Sequence, residues 1–205
     1  MREIVASIIA DNQEELDNIL KKLSKNVQRI QLDVMDGMFV SSEVFDFDFK
    51  IPDNLYKIEA HLMTINPEMW IEDNNKKVET IIVHIESCND PQKVINYVKD
   101  KGNKIGFALR PETPVEAIMP YLNQLNIVLV FTADVIGYYG AKFNPKSINK
   151  IKKIRKNSAV TIEVDGGITP KNILELEKAG ADRFVVGSYL QKAKNIKKAL
   201  QMLRG

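Results

Sequence analysis

The chain predicts an α/β fold, a single-domain (β/α)8 TIM barrel covering residues 1–205, and three observations lead there. Short runs rich in β-branched residues alternate with amphipathic, Lys- and Glu-rich stretches over the whole length, the pattern of parallel strands joined by covering helices. Eight such units in 205 residues average about 26 residues each, a compact barrel by the usual range. A doubly wound open sheet is disfavoured, because Ala6-Ser7-Ile8-Ile9-Ala10-Asp11 stands where a G-x-G-x-x-G turn would follow strand one. No low-complexity linker divides the chain.

Strands are predicted at Ile4 to Ile9, Arg29 to Val34, Lys57 to Met63, Thr80 to Ile85, Lys104 to Leu109, Ile127 to Thr132, Val160 to Val164 and Arg183 to Val186. Helices are predicted at Gln13 to Leu23, Pro67 to Lys77, Pro91 to Lys101, Val115 to Asn123, Lys146 to Lys156, Pro170 to Ala179 and Ile196 to Leu203; only the stretch after strand two lacks one. Asp90-Pro91, Thr113-Pro114 and Thr169-Pro170 each place a capping oxygen before a proline suited to the first helical position. Gly102 and Gly180 supply stops.

Composition removes several classes of function. At 44% hydrophobic and 27% charged, the chain is neither a disordered tail nor a disulfide-stapled module. Lys+Arg 29 against Asp+Glu 27 leaves +2 with the basic residues dispersed, so neither a nucleic-acid nor an anionic-membrane partner is expected. Cys88 is the single cysteine, which excludes an intramolecular disulfide or a Cys-based metal motif and points to a reducing compartment, with the cytoplasm as the expectation. Cys88 itself reads as a small buried hydrophobe. Arg2 and the apolar run Ile4 to Ala10 superficially resemble a secretion signal, but Glu3 and the brevity of the run argue against one. No apolar stretch approaches the roughly 20 residues of a membrane-spanning helix.

In a barrel the chemistry sits at the carboxyl ends of the strands. Those ends carry Ser7; Gln31, Asp33 and Asp36-Gly37; His61; His84 and Glu86; Thr132; Asp165-Gly166-Gly167; and Gly187-Ser188. Strands two and seven are separated by strands one and eight, so Asp33 and Asp165 should face each other across the mouth. Two opposed carboxylates suit removal of a proton from a carbon on one face and its return on the other, which is epimerisation beside a carbonyl. A lone strand-end aspartate commonly binds a loop amide, and Asp36 is read that way. Gly166-Gly167 and Gly187-Ser188, in the loops after strands seven and eight, suit a phosphate held by backbone amides.

Ser7, Leu32-Asp33-Val34-Met35-Asp36-Gly37, His61-Leu62-Met63, Glu163-Val164-Asp165-Gly166-Gly167-Ile168 and Gly187-Ser188 together resemble the ribulose-phosphate 3-epimerases, in order and spacing along nearly the whole chain. The resemblance implies a barrel of the ribulose-phosphate-binding type that interconverts D-ribulose 5-phosphate and D-xylulose 5-phosphate. It implies that Asp33 and Asp165 form the acid/base pair and bind a divalent metal ion (Zn, Mn, Fe or Mg) with His61 and a further strand-two ligand. At that further position the family has histidine and this chain has Gln31, whose amide oxygen suits manganese or magnesium better than zinc. Ser7, Met35, His61 and Met63 are then substrate contacts, the two methionines capping the reaction from water in positions that ordinary core packing would also fill. The family's third methionine appears as Phe131, and His84 matches no ligand position, so it is read as a supporting or structural residue.

After strand six the family offers Pro-Gly-x-Gly-Gly-Gln. Here Asp134-Val135-Ile136-Gly137-Tyr138-Tyr139-Gly140-Ala141-Lys142 lacks the proline and one glycine and carries one extra residue, Gly140 remaining as a phosphate contact. That loop should close over the substrate, so its change bears on substrate length. The alternatives are a hexulose-6-phosphate 3-epimerase of the allulose 6-phosphate type, or a phosphosugar-binding barrel with little catalysis. A lyase of the orotidine-monophosphate decarboxylase kind expects a lysine among the strand-two acids, and Asp33-Val34-Met35-Asp36 has none. The expected partner is a small sugar phosphate, and the resemblance suggests a homo-oligomer.

Overall fold

A computed structural model describes residues 2–45, 47–138 and 140–205. Eight parallel strands close into a ring: β1 (Glu3–Ile8), β2 (Arg29–Asp36), β4 (Lys57–Met63), β5 (Thr80–His84), β6 (Lys104–Leu109), β7 (Ile127–Phe131), β8 (Thr161–Asp165) and β9 (Arg183–Val186), with β9 pairing back onto β1 and β1 onto β2. The protein is a TIM barrel, as its strand pattern predicts. A two-residue strand, β3 (Glu43–Val44), pairs antiparallel with the end of β2, Met35 opposite Val44. It occupies the stretch where no helix is expected.

Alternation along each strand separates two layers. Ile30, Leu32 and Val34 of β2, Ala60 and Leu62 of β4, and Phe107 and Leu109 of β6 join the main core with the helices outside. From α1 (Gln13–Leu23) come Leu16, Leu20 and Leu23; from α3 (Pro91–Asp100), Val94, Ile95 and Val98; from α4 (Ser147–Asn157), Ile148, Ile151 and Ile154. Each of these side chains is buried at helical spacing, worth roughly 1.5–3 kcal/mol apiece for a fully buried aliphatic residue.

The alternate residues point inward, and they are unlike one another on the two sides of the ring. On one side Ile82, Ala108, Ile127 and Leu129 form a small apolar cluster of their own. On the other side Arg29 lies 3.4 Å from Glu59 and 3.0 Å from Glu3, while Arg183 lies 2.9 Å from Glu3, 3.7 Å from Glu59 and 3.9 Å from Glu163. Burial, reinforced by the charge of Glu59, pushes the Glu163 carboxyl well above the usual carboxylate range. This plug lies beneath the strand-end residues Asp33, His61 and Asp165.

Helix signals hold where their geometry is complete. The Asp90 side chain accepts from the backbone N–H of Gln92 at 3.1 Å and of Lys93 at 3.2 Å, and Pro91 opens α3. Gly180, at φ +116°, ends α5 (Ile173–Ala179). The stretch predicted as a helix from Val115 to Asn123 forms instead two 3₁₀ turns, Val115–Ala117 and Met119–Gln124. Pro120 is the reason, since it has no N–H to give to the carbonyl four residues back and its ring crowds that carbonyl. Likewise α5 begins at Ile173, three residues after the expected start at Pro170, because the N–H of Thr169 is taken by Asn172 Oδ1 at 2.8 Å in a preceding turn. A short helix, α6 (Ser188–Gln191), and α2 (Pro67–Asn74) and α7 (Ile196–Arg204) complete the layer. No helix among the described residues is long and apolar enough to cross a membrane.

Candidate active site

Three donors converge at the carboxyl end of the barrel. Asp33 lies on the inward row of β2, two residues before Met35, His61 stands opposite it in the register of β4, and Asp165 is the last residue of β8. The Asp33 and Asp165 carboxylates and the His61 ring each offer one atom to a cluster in which all three lie within 4.8 Å of one another. His61 Nδ1 is 3.2 Å from Asp33 Oδ1 and 3.6 Å from Asp165 Oδ2.

Gln31, two residues before Asp33 on the same inward row, ties the two acids together. Its Nε2 donates to Asp33 Oδ1 at 2.8 Å and to Asp165 Oδ2 at 3.0 Å. The carboxylates therefore sit side by side on one amide rather than far apart across the mouth, which is closer than the strand order alone implies. Ser7 Oγ donates to the other oxygen of Asp33 at 2.5 Å. The two acids are in unlike surroundings: burial, with the Asp33 charge next to it, pushes Asp165 up to about 7.

One cavity above this cluster is lined by Ser7, Asp33, Met35, His61, Met63, Gly140, Asp165, Gly166, Gly167, Gly187 and Ser188. Those are all the anticipated site residues except Gln31, which is fully buried beneath them. Phe131 lines it too. Gly166 and Gly167 have φ of +106° and +69°. A side chain at Gly167 would come within 2.7 Å of the Phe143 backbone nitrogen, so the pair lets the β8 loop pass tightly under the β7 loop. Thr132 fixes that junction by donating from Oγ1 to the carbonyls of Asp165 and Gly166 at 2.9 and 2.6 Å.

The loop after β7 folds over the cavity. Ala133 pairs with Phe143 at its base, and Gly137, Tyr138, Gly140 and Ala141 line the cavity from above. Its tip meets the loop after β2: Tyr138 Oη and Ser41 Oγ are 2.5 Å apart, and Ser42 Oγ donates to the Gly137 carbonyl at 3.3 Å. Tyr139 lies outside the described residues. Asp36 plays the part expected of it, accepting the backbone N–H groups of Met38, Phe39 and Ile65 at 2.9, 2.8 and 2.7 Å. Although its partial burial raises the carboxyl, these bonds hold it below the usual range. Cys88 is half-buried, and burial pushes its thiol up to about 12, as an inert residue requires.

Sequence reading under-rated one constellation. His84 Nε2 lies 2.9 Å from His61 Nε2, and His84 Nδ1 lies 3.1 Å from Glu86 Oε2. Burial lowers His84 to about 4. Burial alone would raise Glu86, but its hydrogen bond with His84 brings it down to about 2. The signal available in the sequence is the i, i+2 spacing at the end of a buried strand.

A family model described as "Ribulose-phosphate 3 epimerase family" matches residues 3–191. This chain belongs to that family. It is 31% identical to the ribulose-phosphate 3-epimerase of Bacillus subtilis, with 100% of this chain and 99% of that protein covered. The Schizosaccharomyces pombe ribulose-phosphate 3-epimerase is also 31% identical, over 98% of this chain and 90% of its own length. Among solved structures, a 3-hexulose-6-phosphate synthase superposes with a TM-score of 0.71 at 16% identity, covering 100% of this chain and 98% of that one, a likeness of fold. The family places the chain among the isomerases, and its Asp33, His61 and Asp165 cluster fits a bound metal ion.

Proposed function

We propose that the chain interconverts D-ribulose 5-phosphate and D-xylulose 5-phosphate, with Asp33 and Asp165 exchanging the proton at the inverted carbon. One observation carries the reading: two carboxyl groups in unlike surroundings, Asp165 pushed up to about 7 by burial and the charge of Asp33, open onto one cavity. Asp165, at about 7, is about half protonated at neutral pH, whereas Asp33 accepts hydrogen bonds at both oxygens from Ser7 and Gln31. One acid can thus take the proton from carbon while the other returns a proton to the opposite face, and the reverse reaction exchanges their roles. Met35, Met63 and Phe131 exclude water around the carbon, and Gly140, Gly166, Gly167, Gly187 and Ser188 line the part of the cavity assigned to the phosphate.

The residues fit a divalent ion. Asp33, His61 and Asp165 supply two hard oxygens and an imidazole, and Gln31 Oε1, buried with no hydrogen-bond partner, becomes a fourth donor if the amide turns over. When bound, such an ion supplies positive charge that stabilises the enediolate formed from the ketose.

Asp33→Asn and Asp165→Asn should each lower kcat by roughly 10²- to 10⁴-fold, the usual worth of a general acid or base, while phosphosugar affinity persists. Solvent deuterium incorporation at the inverted carbon of ribulose 5-phosphate should fall with it. Either variant turning over near the wild-type rate overturns the assignment. The remodelled loop after β7 keeps a hexulose 6-phosphate in contention, and the same exchange assay with allulose 6-phosphate decides between the two.

A further inference from the structure

The hydrogen-bond row running back from the cluster fixes where each imidazole proton sits. Glu86 Oε1 accepts the backbone N–H of Arg110 at 2.9 Å, so the carboxylate is anchored and turns Oε2 to His84 Nδ1 at 3.1 Å. A carboxylate only accepts, so His84 carries its proton on Nδ1. A neutral His84 then has a bare Nε2, which lies 2.9 Å from His61 Nε2. Two ring nitrogens in contact need one proton between them, and His61 must supply it. His61 therefore carries a proton on Nε2, which leaves Nδ1, the atom 3.2 Å from Asp33 and 3.6 Å from Asp165, to give its lone pair to an ion held between them; without the ion Nδ1 meets the Asp33 carboxylate as a hydrogen-bond donor.

We infer that Glu86 and His84 are positioning residues that hold His61 in the tautomer whose Nδ1 is free to ligate an ion held with Asp33 and Asp165. The row is built for permanence. His84 and His61 are fully buried and stack at 5.0 Å between ring centroids. Phe39 packs on the outer face of His84 at 4.8 Å and is itself covered by the Arg110 guanidinium at 3.9 Å, whose Nη2 donates to the Phe39 carbonyl at 2.8 Å. Arg110 thus holds both ends: its backbone fixes Glu86 and its side chain fixes the ring that covers His84.

The inference rests on reading Asp33, His61 and Asp165 as an ion site, and the two can be tested apart. The chain has only two histidines, and they are the two in the row, so an untagged, ¹⁵N-histidine-labelled protein gives a two-imidazole spectrum. Long-range ¹H–¹⁵N correlation on ion-free protein should show His61 protonated on Nε2 and His84 on Nδ1. Glu86→Gln is isosteric and should invert the row. The amide oxygen keeps the Arg110 N–H, so the new NH₂ faces His84 Nδ1, which moves the His84 proton to Nε2 and the His61 proton to Nδ1. Affinity for Mn²⁺, measured by the paramagnetic resonance of free ion, should weaken about 10- to 100-fold, as usual when a ligand's outer partner is changed. His84→Gln, able to accept from His61 and donate to Glu86, should keep both the His61 tautomer and the wild-type Mn²⁺ affinity. A His61 with no proton on Nε2 in the wild type, or one that keeps the Nε2 proton in Glu86→Gln, overturns the inference. An inverted tautomer with unchanged Mn²⁺ affinity supports the relay and overturns the ion-site reading instead.

Discussion

The elevated proton affinity of Asp165 predicts a stability that depends on pH in a way that one substitution abolishes. An aspartate ordinarily titrates at 3.8, and in the fold Asp165 is pushed up to about 7 by burial and then by Asp33. The folded ion-free protein therefore binds a proton that the unfolded chain releases between those values. Stability from this group is fully present below about 3.8, falls as pH rises, and is gone above about 7. The difference of about 3 units corresponds to about 4 kcal/mol, an upper figure because Asp33 and Asp165 titrate as a pair. Asp165→Asn keeps the shape and cannot ionise, so ion-free variant and wild type should diverge as pH rises, the variant gaining up to about 4 kcal/mol relative to wild type by pH 7.5. Raised groups that do not feel the Asp165 charge cancel in this comparison; Glu163, raised by burial and in part by that charge, relaxes in the variant and adds to the divergence. Urea unfolding of chelator-treated proteins at pH 4.5, 6 and 7.5 measures it. Parallel stability curves for the two proteins across that range would refute the reasoning.

The same linkage predicts that saturating Mn²⁺ raises Tm more at pH 8 than at pH 5, since an ion binds the ionised carboxylates; a differential scan at the two pH values checks it, equal shifts counting against the site. Gln31→His should tighten Zn²⁺ binding by 10-fold or more, an imidazole being the better zinc donor, and competition with a chromophoric chelator reads the change. Gly167→Ala should lose at least about 1 kcal/mol by urea unfolding, because φ is +69° and the new carbon would press on Phe143. Tyr138→Phe removes the contact with Ser41 and should raise KM roughly 2- to 10-fold through a single lost hydrogen bond, with little change in Tm since the pair is exposed.

Much of the site was legible in the sequence because a strand alternates with a period of two and a barrel puts its chemistry at one end. Those two rules place Asp33, His61 and Asp165 together without any distance being known. They do not reveal that Gln31 bridges the acids, because an amide two residues earlier on the strand reads equally well as a failed ligand. Nor do they bring His61 onto His84: that contact depends on the stagger between β4 and β5, which pairs His61 with Ile82 rather than with His84. Among the elements, the misjudged helix at Val115 to Asn123 had its warning in Pro120, and β3 was too short to carry a pattern. The loop after β7 was recognised as altered, but how it latches onto Ser41 and Ser42 depends on a loop 95 to 97 residues away in sequence, which no local rule connects.

The wedge of arginines and glutamates at the base of the barrel has a kinetic meaning. Arg29, Glu59 and Glu163 are sealed from solvent, and they close the far end of the chamber as firmly as a stopper. On the reaction proposed above, substrate and product then share the strand-end mouth, where Tyr138 lines the cavity and touches Ser41. A shared mouth is crossed in both directions, so whatever stiffens it slows the forward and backward conversions in the same proportion and leaves their ratio to the sugars themselves.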